Sequence, residues 1–188
     1  MTVEGCTRIL VCIVLLLLGT WSGRVIADTD ISTAENLIDA FYSFDANRLQ
    51  RTLANAEDSA PSILFYQGWA EGGNYEIIDR MPCVEVGPEE VSCSIMVKDD
   101  LVVALDTGFF VTDTFSLTFS DGKITGVETS SNDTQDYYDA RDWVRQNRSE
   151  LIEEPCRGYF DGGPTPGLCA QAMLQGYKEY VAAGRPAE

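Results

Sequence analysis

Apolar and polar residues alternate with two different periods along the chain, and the change between them divides it. From Ser32 the apolar positions Leu37, Ile38, Phe41 and Phe44 recur at helical spacing, and Ser32 with Glu35 has the S-x-x-E form of a capping box. A helix is therefore predicted to start at Ser32. Asp45 is placed to cap a second helix carrying Leu49 and Leu53, with Arg48, Gln50 and Arg51 on its wet side. Pro61 suits the first turn of a third helix, which bears Leu64, Phe65, Gly68 and Trp69 and stops at Gly72-Gly73.

Beyond Asn74 the period falls to two. Strands are predicted over about Tyr75–Val86, Val91–Lys98, Phe110–Phe119 and Lys123–Thr129. Asp121-Gly122 lies between the alternating runs TFSLTF and KITGVE, the pair a tight hairpin with positive φ demands. Asp99-Asp100 is placed to cap a short helical insert, LVVAL, ending near Gly108. A further helix is expected from about Tyr137 to Leu151, and a last one from about Leu168 to Ala182. Three helices, an antiparallel meander of about four strands and two more helices make an α+β fold with the helices on one face of a curved sheet.

The amino end alters the count of what folds. Arg8 precedes the apolar run Ile9–Leu18, and Val25 and Ala27 suit the −3 and −1 subsites of a signal peptidase. The run is half the roughly 20 residues needed to span a bilayer, so residues 1–27 read as a signal peptide, with an uncleaved anchor as the alternative. The organisation expected is a leader at 1–27, a folded domain at 28–131 and a helical extension at 132–188. The protein is then exported, periplasmic or secreted, and has no membrane association once the leader is removed.

Export gives the cysteines a meaning. Cys6 and Cys12 leave with the leader, and Cys83, Cys93, Cys156 and Cys169 remain, an even number in an oxidising setting. Around Gly87-Pro88-Glu89-Glu90, pairing Val86 with Glu90 sets Glu85 opposite Val91 and Cys83 opposite Cys93. Opposed residues have Cβ atoms roughly 4.5–5.5 Å apart, close to disulfide reach. Cys156 and Cys169 bracket the Gly/Pro-rich loop RGYFDGGPTPGL, which a second disulfide would brace. A four-thiolate zinc site is the rival, without a Cys-x-x-Cys knuckle to support it, and free thiols are the remaining alternative.

Charge and composition narrow the chemistry. With 13 Lys+Arg against 30 Asp+Glu the formal charge is −17, and −18 without the leader, so a nucleic-acid partner is not expected. Histidine is absent, which removes histidine bases, triads and metal ligands. Neither Asp99-Asp100 nor the loop around Asp161 has the spaced oxygen ligands of a calcium site, so neither a metal nor a cofactor is expected.

The segments AENLIDAFYSFDANRLQRTL, SILFYQGWAEGGNYEII and DTFSLTFSDGKITGVETSS resemble the nuclear transport factor 2-like superfamily, also called the SnoaL-like or cystatin-like cone. The likeness spans residues 32–131. It implies a curved sheet closed by helices around a pocket, in some members a homodimer, with a small apolar or amphipathic molecule as the partner. Members include isomerases, dehydratases, hydrolases and pocket-bearing proteins without demonstrated chemistry, so the resemblance leaves activity open. No catalytic motif of those enzymes aligns residue by residue with this chain, and residues 135–188 lie outside the shared domain.

Individual side chains carry the remaining expectations. Tyr42, Tyr66 and Trp69 lie on helices facing the sheet, where they either fill the core or, with polar tips on aromatic walls, receive a ligand. Packing is the simpler reading. Asp79, Glu85 and Asp113 lie on strands, and on an apolar wall a carboxylate with a raised pKa acts as a proton shuttle; with Tyr42 they make the candidate acid–base set. Edge placement or exposure to water is the expected state of all three. Arg141, Arg145 and Arg148 form a basic stripe that either clamps a carboxylate or pairs with Asp139, Asp142 and Glu150 on a wet surface. Asn132-Asp133-Thr134 and Asn147-Arg148-Ser149 are N-glycosylation sequons, relevant only in a host that glycosylates.

Overall fold

The computed structural model describes residues 22–158 and 166–186. Most of the expected leader and the middle of the 156–169 loop, including Asp161, lie outside the described residues. The first helix, α1, spans Ser22–Phe41 and passes through both Ala27-Asp28 and Ser32. The capping box is therefore not formed. Thr33 instead bonds back to the Thr29 carbonyl at 2.8 Å, and Glu35 reaches sideways to accept the Cys83 backbone N–H at 2.7 Å. Glu35 also pairs with Arg80, which bridges to Asp39.

Helix α2 (Ala46–Thr52) starts as expected, with the Arg48 N–H donating to Asp45 Oδ1 at 3.0 Å. Helix α3 (Ala60–Gly72) carries Pro61 in its first turn and ends at Gly72-Gly73. Its buried stripe is Ile63, Gln67 and Ala70 with Trp69 beside it, whereas Leu64 and Phe65 are half-buried. Gln67 has a specific task there. Its Nε2 donates to the carbonyls of Ala40 at 3.0 Å and Phe41 at 2.8 Å, adding to the bonds these two receive from Ser43 Oγ and the Phe44 N–H and tying α3 to the end of α1.

The sheet comprises β1 (Glu76–Arg80), β2 (Val84–Gly87), β3 (Glu90–Lys98), β4 (Val111–Ser120) and β5 (Lys123–Ser131), all antiparallel neighbours. The single strand expected over Tyr75–Val86 is two. Both pair with β3, and Met81-Pro82-Cys83 separates them, since Pro82 has no N–H to give to the ladder. Glu85 opposes Val91 as expected, but a bulge puts Gly87, not Val86, opposite Glu90. The Cys83–Cys93 and Cys156–Cys169 disulfides are both formed. Asp121 and Gly122 have φ of 51° and 72°, the positive values the β4–β5 turn requires.

Between β3 and β4, Asp99 caps the short helix α4 (Asp100–Ala104) by accepting the Val102 N–H at 2.8 Å. The helix expected from Tyr137 to Leu151 is divided at Arg148 into α5 (Gln135–Asn147) and α6 (Ser149–Ile152), because the Arg148 backbone leaves helical geometry. Helix α7 spans Pro166–Ala182. The protein is thus an α+β fold, with amino-terminal helices against an antiparallel sheet and a helical carboxyl-terminal segment.

Two apolar clusters result. The larger joins Leu37, Ile38 and Phe41 of α1 to the inward row Val111, Phe115, Leu117 and Phe119 of β4. The smaller joins Trp69 and Leu101 to Ala140 and Val144 of α5 and to Met173, Tyr177 and Tyr180 of α7. Tyr66, Tyr75 and Tyr137 pack against both. Among the described residues no helix is long and apolar enough to cross a membrane.

Candidate functional site

Strand β4 alternates so that Val111, Asp113, Phe115, Leu117 and Phe119 all face the core. Asp113 thereby enters an apolar row, and it is fully buried. The expectation of an exposed or edge carboxylate is corrected for this residue, because two hydroxyls meet it. Tyr42, just beyond α1, donates to Oδ2 at 2.8 Å, and Tyr66 of α3 donates to Oδ1 at 2.6 Å. A carboxylate buried without such donors would be too costly to keep.

Burial pushes the Asp113 carboxyl up to about 6, against the opposing pull of the Tyr66 and Tyr42 hydrogen bonds. The two phenols are driven the other way from reactivity. Burial first, and then the neighbouring Asp113 charge among other groups, raises both well above the usual tyrosine value, so they act as donors rather than phenolates. Asp99 is likewise pushed by burial to about 6, despite the backbone N–H groups of Val102 and Leu101. Burial also raises Asp133. Tyr75, whose own pKa is raised by burial and then by Asp99, feels Tyr137, Asp113 and Asp133 as well, so three acidic groups share one end of the sheet.

Asp79 and Glu85 do not join this group, and both are exposed, in agreement with the simpler expectation. A bulge at Ile78 pairs Asp79 with Met96 instead of continuing the inward parity, so the side chain points away from the core. Glu85 keeps its register with Val91 but sits on the sheet edge, where nothing covers it.

One cavity borders the cluster and a second shares Trp69 and Tyr137 with it. A cleft of about 400 Å³ is lined by Tyr66, Trp69, Tyr75, Asp133 and Tyr137 with the end of β5, and the Tyr66 ring stands between it and Asp113. A larger cavity of about 650 Å³ lies on the other side of Trp69. Trp69, Tyr137, Ile152 and Met173 give it apolar walls, the Cys156–Cys169 disulfide forms part of its lining, and Arg141, Arg145, Ser149 and Glu153 supply polar groups. Of the expected ligand residues, Tyr66 reaches the smaller cleft and Trp69 lines both cavities.

The arginine stripe divides between these surroundings. Arg141 pairs with Asp142 at 2.9 Å and lies 5.0 Å from the centre of the Tyr138 ring. Arg148 bonds to Glu179 of α7 and sits over Trp143, so its partner is on another helix and not Glu150. The calcium candidate at Asp99 spends its carboxylate on the α4 cap, and no cluster of three acidic or thiol side chains suited to a metal occurs among the described residues.

Four contributors were not singled out from the sequence: Tyr75, Asp133, Ile152 and Met173. All but Tyr75 belong to the carboxyl-terminal segment, which lies outside the stretch that carried the family resemblance. The pattern Trp143, Ile152, Met173 and Tyr177 around a disulfide was the available signal that this segment has an apolar face of its own. No family model matches the chain, and neither a curated protein nor a solved structure matches it.

Proposed function

We propose that the chain is an exported binding protein of the nuclear transport factor 2-like kind, which holds a small amphipathic molecule in the cavity between α3 and the carboxyl-terminal helices. The observation that carries this reading is the cavity of about 650 Å³, within the roughly 300–1,000 Å³ typical of small-molecule sites and walled by Trp69, Tyr137, Ile152 and Met173. Export is supported by the apolar Ile9–Leu18 run and by two disulfides, which persist in oxidising compartments. The cone resemblance is supported by the helices lying against one antiparallel sheet.

The test is mass spectrometry of small molecules retained by protein purified from its native compartment, compared with a Met173→Trp variant that fills the cavity. An amphipathic compound held by the native chain and absent from the variant is the expected result. A native protein carrying no compound, with no change in intrinsic tryptophan fluorescence on exposure to a library of apolar and amphipathic molecules, would overturn the reading.

The convergence of Tyr42 and Tyr66 on Asp113 favours a second reading, an acid–base enzyme of the isomerase, dehydratase or hydrolase type. Asp113 has no accessible surface and both its oxygens are engaged, so catalysis would require Tyr66 to swing away from it. Turnover abolished by Asp113→Asn but ligand binding preserved would select this reading over simple binding.

A further inference from the structure

The smaller cleft has a lining unlike that of the large cavity. Five aromatic residues border it: Phe65, Tyr66 and Trp69 from α3, Tyr75 from the link to β1, and Tyr137 from α5. The Tyr66 and Tyr75 rings are 6.3 Å apart and stand at 89° to each other, so they form a corner rather than a stack. Asp133 is the one charged residue among the described lining, which holds no lysine or arginine.

The negative charge at this place exceeds that of Asp133 alone. Asp113 lies behind the Tyr66 ring, and Asp99 and Asp113 both act on Tyr75. These two carboxyls titrate at about 6, so both are mostly ionised at pH 7.5. Arg141 offsets part of the charge of Asp133, but it borders the other cavity and is paired with Asp142. Much of the acceptor capacity of the carboxylates is already spent: Asp113 receives two tyrosine hydroxyls, Asp99 the Val102 N–H and Asp133 the Ser131 hydroxyl. A hydrogen bond donated to a carboxylate leaves its charge in place. The cleft therefore presents negative potential more than open acceptor sites, which suits a cation with no N–H to donate.

A quaternary ammonium is such a cation, held by the negative faces of aromatic rings and by nearby carboxylate charge. Attraction of this kind does not need side chains that lack other partners, since Tyr66 donates through its hydroxyl and keeps its ring. Beyond the binding function proposed above, and independent of what fills the large cavity, we infer that this cleft is a second site. It takes a small trimethylammonium compound, with the methyl groups among Tyr66, Trp69, Tyr75 and Tyr137 and the charge facing Asp133. Its volume of about 400 Å³ is toward the small end of ligand sites, sized for a compact cation rather than a long-chain amphiphile. The formal charge of −17 on the chain raises the local concentration of such cations.

Calorimetric titration of the disulfide-intact chain at pH 7.5 compares three probes: choline, ethanolamine, and the uncharged isostere of choline in which tert-butyl replaces trimethylammonium. Choline is expected to bind roughly tenfold tighter than the isostere, and tighter than ethanolamine. Asp133→Asn should weaken choline roughly fivefold and leave the isostere within about twofold. Tyr75→Leu should weaken choline to a similar degree, whereas Tyr75→Phe, which keeps the ring, should stay within about threefold. If circular dichroism shows Tyr75→Leu unfolded, Asp133→Asn and Tyr75→Phe carry the test. Met173→Trp, which fills the large cavity, should leave choline binding unchanged, so failure of the amphiphile reading and failure of this one are told apart. Equal binding of choline and its isostere, or of choline by the native and Asp133→Asn chains, would overturn the cation assignment. Ethanolamine binding as tightly as choline would overturn the quaternary preference. No binding of choline, or its loss in Met173→Trp, would overturn the site.

Discussion

Replacing Asp113 by Asn removes one buried ionisable group and keeps its shape, and the consequence is a change in how stability depends on pH. In the folded chain Asp113 titrates at about 6, against 3.8 for an unperturbed aspartate. Between those values the native state binds a proton that the unfolded state does not, so stability falls as pH rises through this window and is level outside it. Lowering the pH from 7.5 to 4.5 protonates nearly all of the native Asp113 but only a small part of the unfolded one. The free-energy gain for the wild-type chain from this residue is about 2 kcal/mol.

Urea unfolding followed by tryptophan fluorescence at both pH values measures it. Asp99, also at about 6, contributes to both chains and drops out of the difference to first order. The wild-type chain should gain about 2 kcal/mol more than Asp113→Asn on acidification. Parallel stability curves for the two chains would refute the reasoning, because they would mean that the Tyr42 and Tyr66 hydroxyls offset the cost of burying the charge.

Further predictions concern the same packing. Tyr66→Phe leaves Asp113 Oδ1 without its donor, so it should cost about 1–3 kcal/mol at pH 7.5 and extend the pH-dependent window upward, since one of the bonds that lowers the Asp113 pKa is lost. Replacing both Cys156 and Cys169 by Ala should lower stability by about 3 kcal/mol in urea titrations, and reducing agent should then affect the variant less than the wild type. A Cβ at Gly176 would come within 2.5 Å of Val144 Cγ2, so Gly176→Ala should destabilise by about 1–3 kcal/mol in thermal melts. Adding Val144→Ala should restore part of that loss, and no recovery would show that the α5–α7 approach is not the cause.

Elements fixed by short-range chemistry were legible from the residues alone. The Asp45 and Asp99 caps, Pro61 at the start of α3, the Asp121-Gly122 turn and the Cys83–Cys93 pair each depend on a few neighbours in the chain. The false start at Ser32 has the opposite origin. A capping signature competes with continued helix, and here Glu35 finds better partners in Arg80 and the Cys83 N–H, which are more than forty residues away. Asp79 is exposed as expected, but the bulge that turns it outward, a one-residue event that reverses the face of a side chain, leaves no pattern in the flanking residues. Asp113 was visible as a polar residue in an apolar row, but its burial depended on hydroxyls from two different helices, a long-range coincidence that periodicity does not encode.

The interruption at Met81-Pro82-Cys83 has a consequence for behaviour at high concentration. The sheet edge formed by β1 and β2 exposes Ile77, Ile78, Met81, Val84 and Val86, a row that in an unbroken strand would invite another chain to add itself to the ladder. Instead the edge consists of runs of five and four residues, separated by a proline that cannot donate and by a cysteine whose N–H is already committed to Glu35. A would-be aggregating strand meets two short registers, displaced by the break, and cannot zip across both. Protection from intermolecular β-pairing is thus built into the edge itself, through Pro82 and the Glu35 bond to the Cys83 N–H.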